Sequence, residues 1–321
     1  MLKPEVTDLV DRLRTLVEQR YVFPDEAAEI SRRLAAGRDG YPADPAALAA
    51  AVTADLQSVN GDKHLRLLHH AEPQAEQDPH DDAAEYAAMA QWAERTCGGV
   101  VSARRLPGDV GLLEVAPVLF PAVLVGDVYA AAFTLLAPVQ ALIVDLRGCL
   151  GGEPSAVGLF MSYLWDHEPV QLTGMYERTT GQVRQSWTHA HVPGRRYGRT
   201  RPLYVLTGGA TFSGGEALAY DVQQTGRGTV VGERTRGGAH PREGFRLHPH
   251  LEATISVARA VNPVSGTNWE GTGVTPDIEV DADRALPTAY TAALELVADG
   301  GGPSAAEARA ALADSGSARD K

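Results

Sequence analysis

The sequence predicts an α/β fold preceded by a small helical segment, and three observations carry that reading. Residues 1–60 are Ala-rich and set their apolar residues at helical spacing. From about residue 100 the chain alternates short apolar runs with longer helical patterns, the order of strands joined by helices. Two of the apolar runs, 141–146 and 202–206, end in Gly-rich turns that open directly into a helical pattern.

Val6, Leu9, Val10, Leu13 and Leu16/Val17 recur at helical spacing, which predicts a first helix over 5–20. A second helix follows Pro24 over Asp25–Leu34 and ends at Gly37 and Gly40. Asp44 is an N-cap residue for a third helix, Pro45–Val59. The run NGDKHLRLL (60–68) reads as a turn entering a short strand, and polar residues 71–83 as a linker. Residues 84–96 read as helical. Val110–Val118 and Ala141–Leu146 are predicted strands, Val125–Leu136 and Pro154–Leu164 predicted helices. Residues 168–200, with Tyr176 and Trp187, read as a β-hairpin excursion. Pro202–Leu206 is a buried strand that runs into a helix at Gly214–Thr225. Thr229–Val231 and Ala253–Val257 are short strands, Asp283–Ala298 is a closing helix, and the Gly-, Ser- and Ala-rich 300–321 reads as a frayed tail. The expected domains are a helical N-terminal domain over 1–75, a linker and helix over 76–105, a core over 106–299 and the flexible tail.

A chain of 321 residues is long enough for one large domain and a small one, and 44% hydrophobic residues supply a sizeable core. The net charge of −12 excludes nucleic-acid binding by a basic face. Two cysteines, Cys97 and Cys149, make no disulfide framework and read as reduced thiols. Charges interrupt the first 20 residues, so no signal-peptide core is present, and no apolar stretch reaches the roughly 18 residues of a membrane span. A cytoplasmic location is expected. H-E-x-x-H and paired C-x-x-C motifs are absent, so no metal or organic cofactor is expected.

In PLYVLTGGATFSGGEALAY (202–220) a strand ends in a Gly pair, a tight turn holds Ser213, and a helix starts at once. That is the logic of a nucleophile elbow: the hydroxyl is exposed and helix N-terminal amides face a developing oxyanion, with Gly214 the first donor. The plain alternative is that Ser213 only caps the helix. In ALIVDLRGCLGGEPSAVGLF (141–160) a second strand runs into a Gly turn, where Gly151 or Gly152 is a second donor candidate. Asp145 and Arg147 read there as a local ion pair. A serine needs a base near neutral pH. No lysine occurs over 214–262, so a histidine is sought among ten, and periodicity does not choose between them. Glu270, between Trp269 and Gly271 in a Gly-rich turn, is a placed carboxylate and the candidate third member.

Four segments together resemble the tail-specific, or C-terminal processing, protease family. They are GDKHLRL (61–67), ALIVDLRGCLGG (141–152), YVLTGGATFSGGEALAY (204–220) and VVGERTRGGAHP…NPVSGTNWEGTGVTPDIEV (230–280). The branch is similar to bacterial relatives of the interphotoreceptor retinoid-binding protein repeat and to the Tricorn catalytic core. The resemblance implies a ββα-spiral, crotonase-like core and a Ser/His/Glu triad. Ser213 matches the nucleophile of T-F-S-x-x-E, His64 the base of G-D-x-H-L, and Glu270 the glutamate three residues before Gly273 of G-V-x-P-D. Gly214 with Gly151 or Gly152 matches the oxyanion donors. Many members use a Ser–Lys dyad, but the lysine position is Gly238 here. Leu150 stands in a turn that is usually polar, and no PDZ domain is evident after His64. His240, Trp269 and Leu150 are expected to line a substrate groove, and His240 is the rival base.

The expected function is a serine peptidase acting through an acyl-enzyme on a peptide or small acyl substrate; a homo-oligomer is compatible with that. The alternatives are a serine esterase, amidase or cyclase on a small molecule, or a non-catalytic protein that binds a hydrophobic ligand.

Overall fold

A computed structural model describes residues 2–74 and 82–317 of the protein. Helices α1 (Lys3–Arg20), α2 (Pro24–Gly37) and α3 (Pro45–Gln57) come first, then strand β1 (Arg66–His69) and helix α4 (Asp82–Arg95). Strands β2 (Val100–Leu106) and β3 (Val110–Val115) precede α5 (Ala122–Leu136), β4 (Ala141–Asp145) and α6 (Pro154–Leu164). Strands β5 (Gln171–Glu177) and β6 (Gln182–Trp187) form the excursion, and β7 (Leu203–Thr207), α7 (Gly214–Gln224) and β8 (Thr229–Gly232) resume the alternation. Strands β9 (Arg242–His248), β10 (Leu251–Ser256), β11 (Ala258–Val261) and β12 (Ile278–Glu279) lead to α8 (Ala282–Ala298) and α9 (Gly302–Ser317).

The chain divides into two compact units. The first holds the described residues up to 74 with Gly174–Arg184 and His240–Val261. Its helices form where the pattern placed them: Pro24 and Pro45 open α2 and α3, and Asp44 Oδ2 accepts the Ala47 amide at 2.9 Å as an N-cap. Leu9, Leu13, Ile30, Leu34, Leu48 and Val52 are fully buried, and alternate residues Leu251, Ala253 and Ile255 of β10 close the same core. The helical domain expected over 1–75 shares this unit with strands from later in the chain. An antiparallel sheet β1–β10–β9 belongs to it, with Arg66 opposite Thr254 and Leu67 opposite Ala253. One apolar stripe per helix needs a covering surface, and here distant strands supply it.

The second unit is built on a sheet of order β12-β8-β7-β4-β3-β2, parallel except for the antiparallel edge strand β2. β4 and β7 are buried at every residue, as parallel strands covered on both faces must be. Ala285, Ala289, Ala293 and Leu294 of α8 pack on Ile143, Leu206 and Val231. This is the α/β core expected of the sequence. The tail is not frayed: α9 occupies most of 300–321, with Ala305 and Ala308 buried and Arg105 paired to Glu307 at 2.5 Å. Gly300 to Gly302 mark the end of α8, not the end of order. Residues 75–81 of the expected linker, His80 among them, lie outside the described residues. Among the described residues no helix is long and apolar enough to cross a membrane.

Candidate active site

The β7–α7 turn is pinned from both sides. Thr211 is buried; its hydroxyl donates to the Leu146 carbonyl at 2.9 Å and accepts the Gly208 amide at 3.0 Å. The Phe212 amide donates to the Cys149 carbonyl at 3.0 Å, tying the two Gly-rich turns together. Ser213 is then held at φ 48° and ψ −115° as the N-cap of α7. A non-glycine residue there costs on the order of 1–3 kcal/mol, strain of the kind that collects at functional sites.

The anchor that offsets it is Glu216, which is fully buried. Its Oε2 accepts the amides of Ser213 at 2.8 Å and Gly238 at 2.9 Å. Its Oε1 accepts the Thr235 hydroxyl and the Gly237 amide, both at 2.6 Å. Burial raises its carboxyl above the usual range, and these four bonds act against that. The sequence reading passed over Glu216, although Ser213-x-x-Glu216 is the spacing of a capping box.

The second turn lies against the first. A Cβ on Gly151 would stand 3.3 Å from Ser213 Cβ and 3.7 Å from its Oγ, and one on Gly214 would meet Gly152 N at 2.7 Å. Gly151 and Gly152 have φ of 146° and 140°, where side chains are strained, and a Cβ on Gly152 would strike the Leu119 carbonyl at 2.3 Å. Gly214 is the first residue of α7, a position whose amide has no intrahelical acceptor. Both candidate donor turns are thus beside the Ser213 hydroxyl. Arg147 and Asp145 form the local pair expected of them, 2.6 Å apart, and Arg147 also donates to the Ala282 carbonyl at 2.6 Å. Cys149 is buried and burial pushes its thiol up to about 11, so it stays protonated. Leu150 is 52% exposed, with its amide on the Pro117 carbonyl at 2.7 Å.

At Gly238, where the resemblance places the lysine of other members, a Cβ would lie 2.2 Å from Phe212 Cε2. Glu270 Oε2 accepts the Ala239 amide at 2.5 Å, and the Glu270 amide donates to Asn268 Oδ1 at 2.9 Å. Trp269, expected in a groove, is 3% exposed; its indole N–H donates to the Gly238 carbonyl at 2.9 Å and its ring meets Tyr220 at 5.2 Å. Its place is beneath the 237–239 segment, as a support.

In the first unit, His64 leaves the turn after α3 beside Asp62. The Asp62 Oδ1 accepts the His64 amide at 2.8 Å and lies 3.4 Å from His64 Nδ1. The Asp62 Oδ2 accepts the hydroxyls of Ser256 at 2.8 Å and Tyr21 at 3.1 Å. The Thr254 hydroxyl donates to the His64 carbonyl at 2.6 Å. Burial would raise the Asp62 carboxyl, but bonds from the His64 side chain and backbone and from Ser256, with the charge of His64, hold it at about 2. The sequence reading assigned only Glu270 to His64 and missed Asp62, although Asp-x-His stands in the quoted motif. Its folded value is depressed, so its stabilisation is present above the ordinary carboxylate range and is lost as pH falls toward about 2. Asp62→Asn should therefore lower stability at neutral pH by about 2 kcal/mol, and the gap to wild type should close between about pH 4 and 2. Thermal unfolding across that range checks it; a gap independent of pH would refute the charge's role. His240, the rival base, also lies in this unit, buried, with its ring against Phe23 at 5.4 Å.

The profile of peptidase family S41 matches residues 118–280, and that of the N-terminal domain of peptidase S41 in eukaryotic IRBP matches residues 1–101. A chloroplastic C-terminal processing peptidase of Tetradesmus obliquus is 34% identical over 87 residues, 27% of this chain and 18% of that protein. The chain thus matches under a fifth of the length of that curated relative. Among solved structures, the photosystem II D1 C-terminal processing protease superposes with a TM-score of 0.55 at 17% identity, covering 86% of this chain and 93% of that one. The tricorn protease gives 0.55 at 15% identity over 92% of this chain and 37% of that one. At these identities the likeness is one of fold.

Proposed function

The chain belongs to peptidase family S41, and on that premise we propose that it is a serine peptidase working through an acyl-enzyme on Ser213. The observation that carries the reading is Ser213 itself: a strained residue at a strand-to-helix turn, with Gly151 against its side chain and Gly214 next to it in the chain, where α7 starts. His64 removes the Ser213 proton as Oγ bonds to the carbonyl carbon of the scissile amide. The carbonyl oxygen becomes an oxyanion held by the amides of Gly214 and of Gly151 or Gly152. The C–N bond then breaks, and His64 gives the proton to the leaving amine. Water, deprotonated by His64, hydrolyses the acyl-enzyme and frees Ser213. Asp62 and Glu270 are the carboxylates that serve the base, the first by direct contact with His64 and the second as the triad member.

The test is covalent labelling of the purified chain with a fluorophosphonate probe, mapped by mass spectrometry. Modification at Ser213 is expected. A folded protein that stays unmodified would sink the assignment. Leu150, exposed beside the turn, favours a second reading in which the acyl group is small and apolar. Comparing turnover of casein-derived peptides with p-nitrophenyl acetate and butyrate separates the two.

A further inference from the structure

Asp221 lies about two turns along α7 from Ser213 and has no part in the chemistry above. It is 1% exposed. Three donors converge on its Oδ1: the Thr173 amide at 2.9 Å, the Thr173 hydroxyl at 2.7 Å and the Asn262 side-chain amide at 3.3 Å. Asn262 Nδ2 also donates to the Thr173 hydroxyl at 2.9 Å, which closes the triangle. Burial pushes the Asp221 carboxyl up to about 6, and the bonds from Thr173 and Asn262 act against that rise. Burying a carboxylate with no cationic partner is costly, so an apolar residue would be the cheaper way to fill this space.

What distinguishes the two partners is where they stand in the chain. Thr173 is the last residue of the second unit before the chain passes to the first at Gly174, and Asn262 is the first residue after it returns from Val261. Past these points the two strands pair with each other, Val261 opposite Gly174 and Arg259 opposite Tyr176. Just upstream of β11 stands Ser256, whose hydroxyl holds the Asp62 carboxylate beside His64. One unbroken series of bonds and backbone therefore runs from the helix that begins at Ser213 to the residues that hold the histidine.

We propose that Asp221 is a positioning residue: by gripping Thr173 and Asn262 it roots, on the nucleophile's own helix, the two paired strands that lead to Ser256, Asp62 and His64. It rests on the reading of Ser213 and His64 as nucleophile and base. The grip needs an acceptor oxygen at Oδ1 and not the charge, so Asp221→Asn, which keeps that oxygen, should behave as wild type, whereas Asp221→Ala should not.

Two measurements on the full chain test it. Hydrogen exchange should rise about tenfold or more in Asp221→Ala at amides 173–177 and 258–262, the effect of losing even one of the three buried hydrogen bonds, with 141–145 and 203–207 unchanged. The rate of fluorophosphonate labelling at Ser213, followed for hours so that slow variants are also measured, should fall about tenfold in Asp221→Ala. In the His64→Ala background the same substitution should cause no further fall. A fall that persists without His64 means that Asp221 acts on Ser213 itself, and this overturns the proposal. So does exchange that rises equally throughout the chain, or an Asp221→Asn variant as impaired as Asp221→Ala. Should Asp221→Ala fail to fold, Thr173→Val combined with Asn262→Ala removes the same side-chain bonds. If the wild-type chain does not label, the functional reading fails and positioning fails with it, while the exchange comparison still decides whether Asp221 holds the two crossings.

Discussion

Ser213→Ala should lower peptide-bond turnover by a factor on the order of 10^4 to 10^6, and His64→Ala by a comparable factor. On the proposed mechanism the two act as one unit: without the histidine the hydroxyl keeps its proton at neutral pH, and without the hydroxyl the histidine has nothing to deprotonate. The double variant should therefore be no slower than either single one. What survives in all three is the contribution of the Gly214 and Gly151/Gly152 amides, which need neither side chain. Single-turnover rates on one peptide, with circular dichroism to show that each variant is folded, make the comparison. A variant that keeps more than about a tenth of wild-type turnover would remove that residue from the chemistry.

Glu216→Ala should cost on the order of 3–5 kcal/mol of stability and most of the labelling at Ser213. The carboxylate accepts four donors in a site closed to water, and alanine leaves the amides of Ser213, Gly237 and Gly238 without it. Glu216→Gln should be nearly as damaging, because each oxygen accepts two bonds and an NH2 group at either place faces donors. At this chain length the loss corresponds to a melting temperature lower by roughly 10 °C. The Ser213 amide is one of the four donors, so the strained φ of the nucleophile should relax as well. A glutamine variant with wild-type melting temperature and labelling would show that the four bonds do not hold the turn.

Much of this was legible in the sequence because it depends on local chemistry. Pro24, Asp44 and Pro45 set helix starts, and the uniformly apolar runs of β4 and β7 mark strands covered on both faces. The two Gly-rich turns announced themselves, since only glycine fits where Gly214 meets Gly152 and where Gly152 meets Leu119. The features that were missed depend on partners far away in the chain. β9 reads as polar because Arg242, Glu243 and Gly244 are exposed, and its role appears only when β10 is opposite. α9 hides behind three glycines. Asp62 looks like a turn residue until Ser256 and Tyr21 are seen on its other oxygen. Glu216 and Asp221 look like ordinary polar positions of an amphipathic helix, and nothing local tells that both are buried.

The histidine-bearing unit is assembled from three separated stretches, the last of which ends at Val261. On the ribosome, α1, α2 and α3 emerge long before Leu251, Ala253 and Ile255, which complete their core. Until then Leu9, Leu13 and Leu48 have no full cover, so the nascent chain carries an open apolar surface until β10 is made. Ser213 also leaves the ribosome before the strand whose Ser256 steadies Asp62 and, with it, His64. The residue proposed as nucleophile is therefore made before the strand that supports the residue proposed as its base.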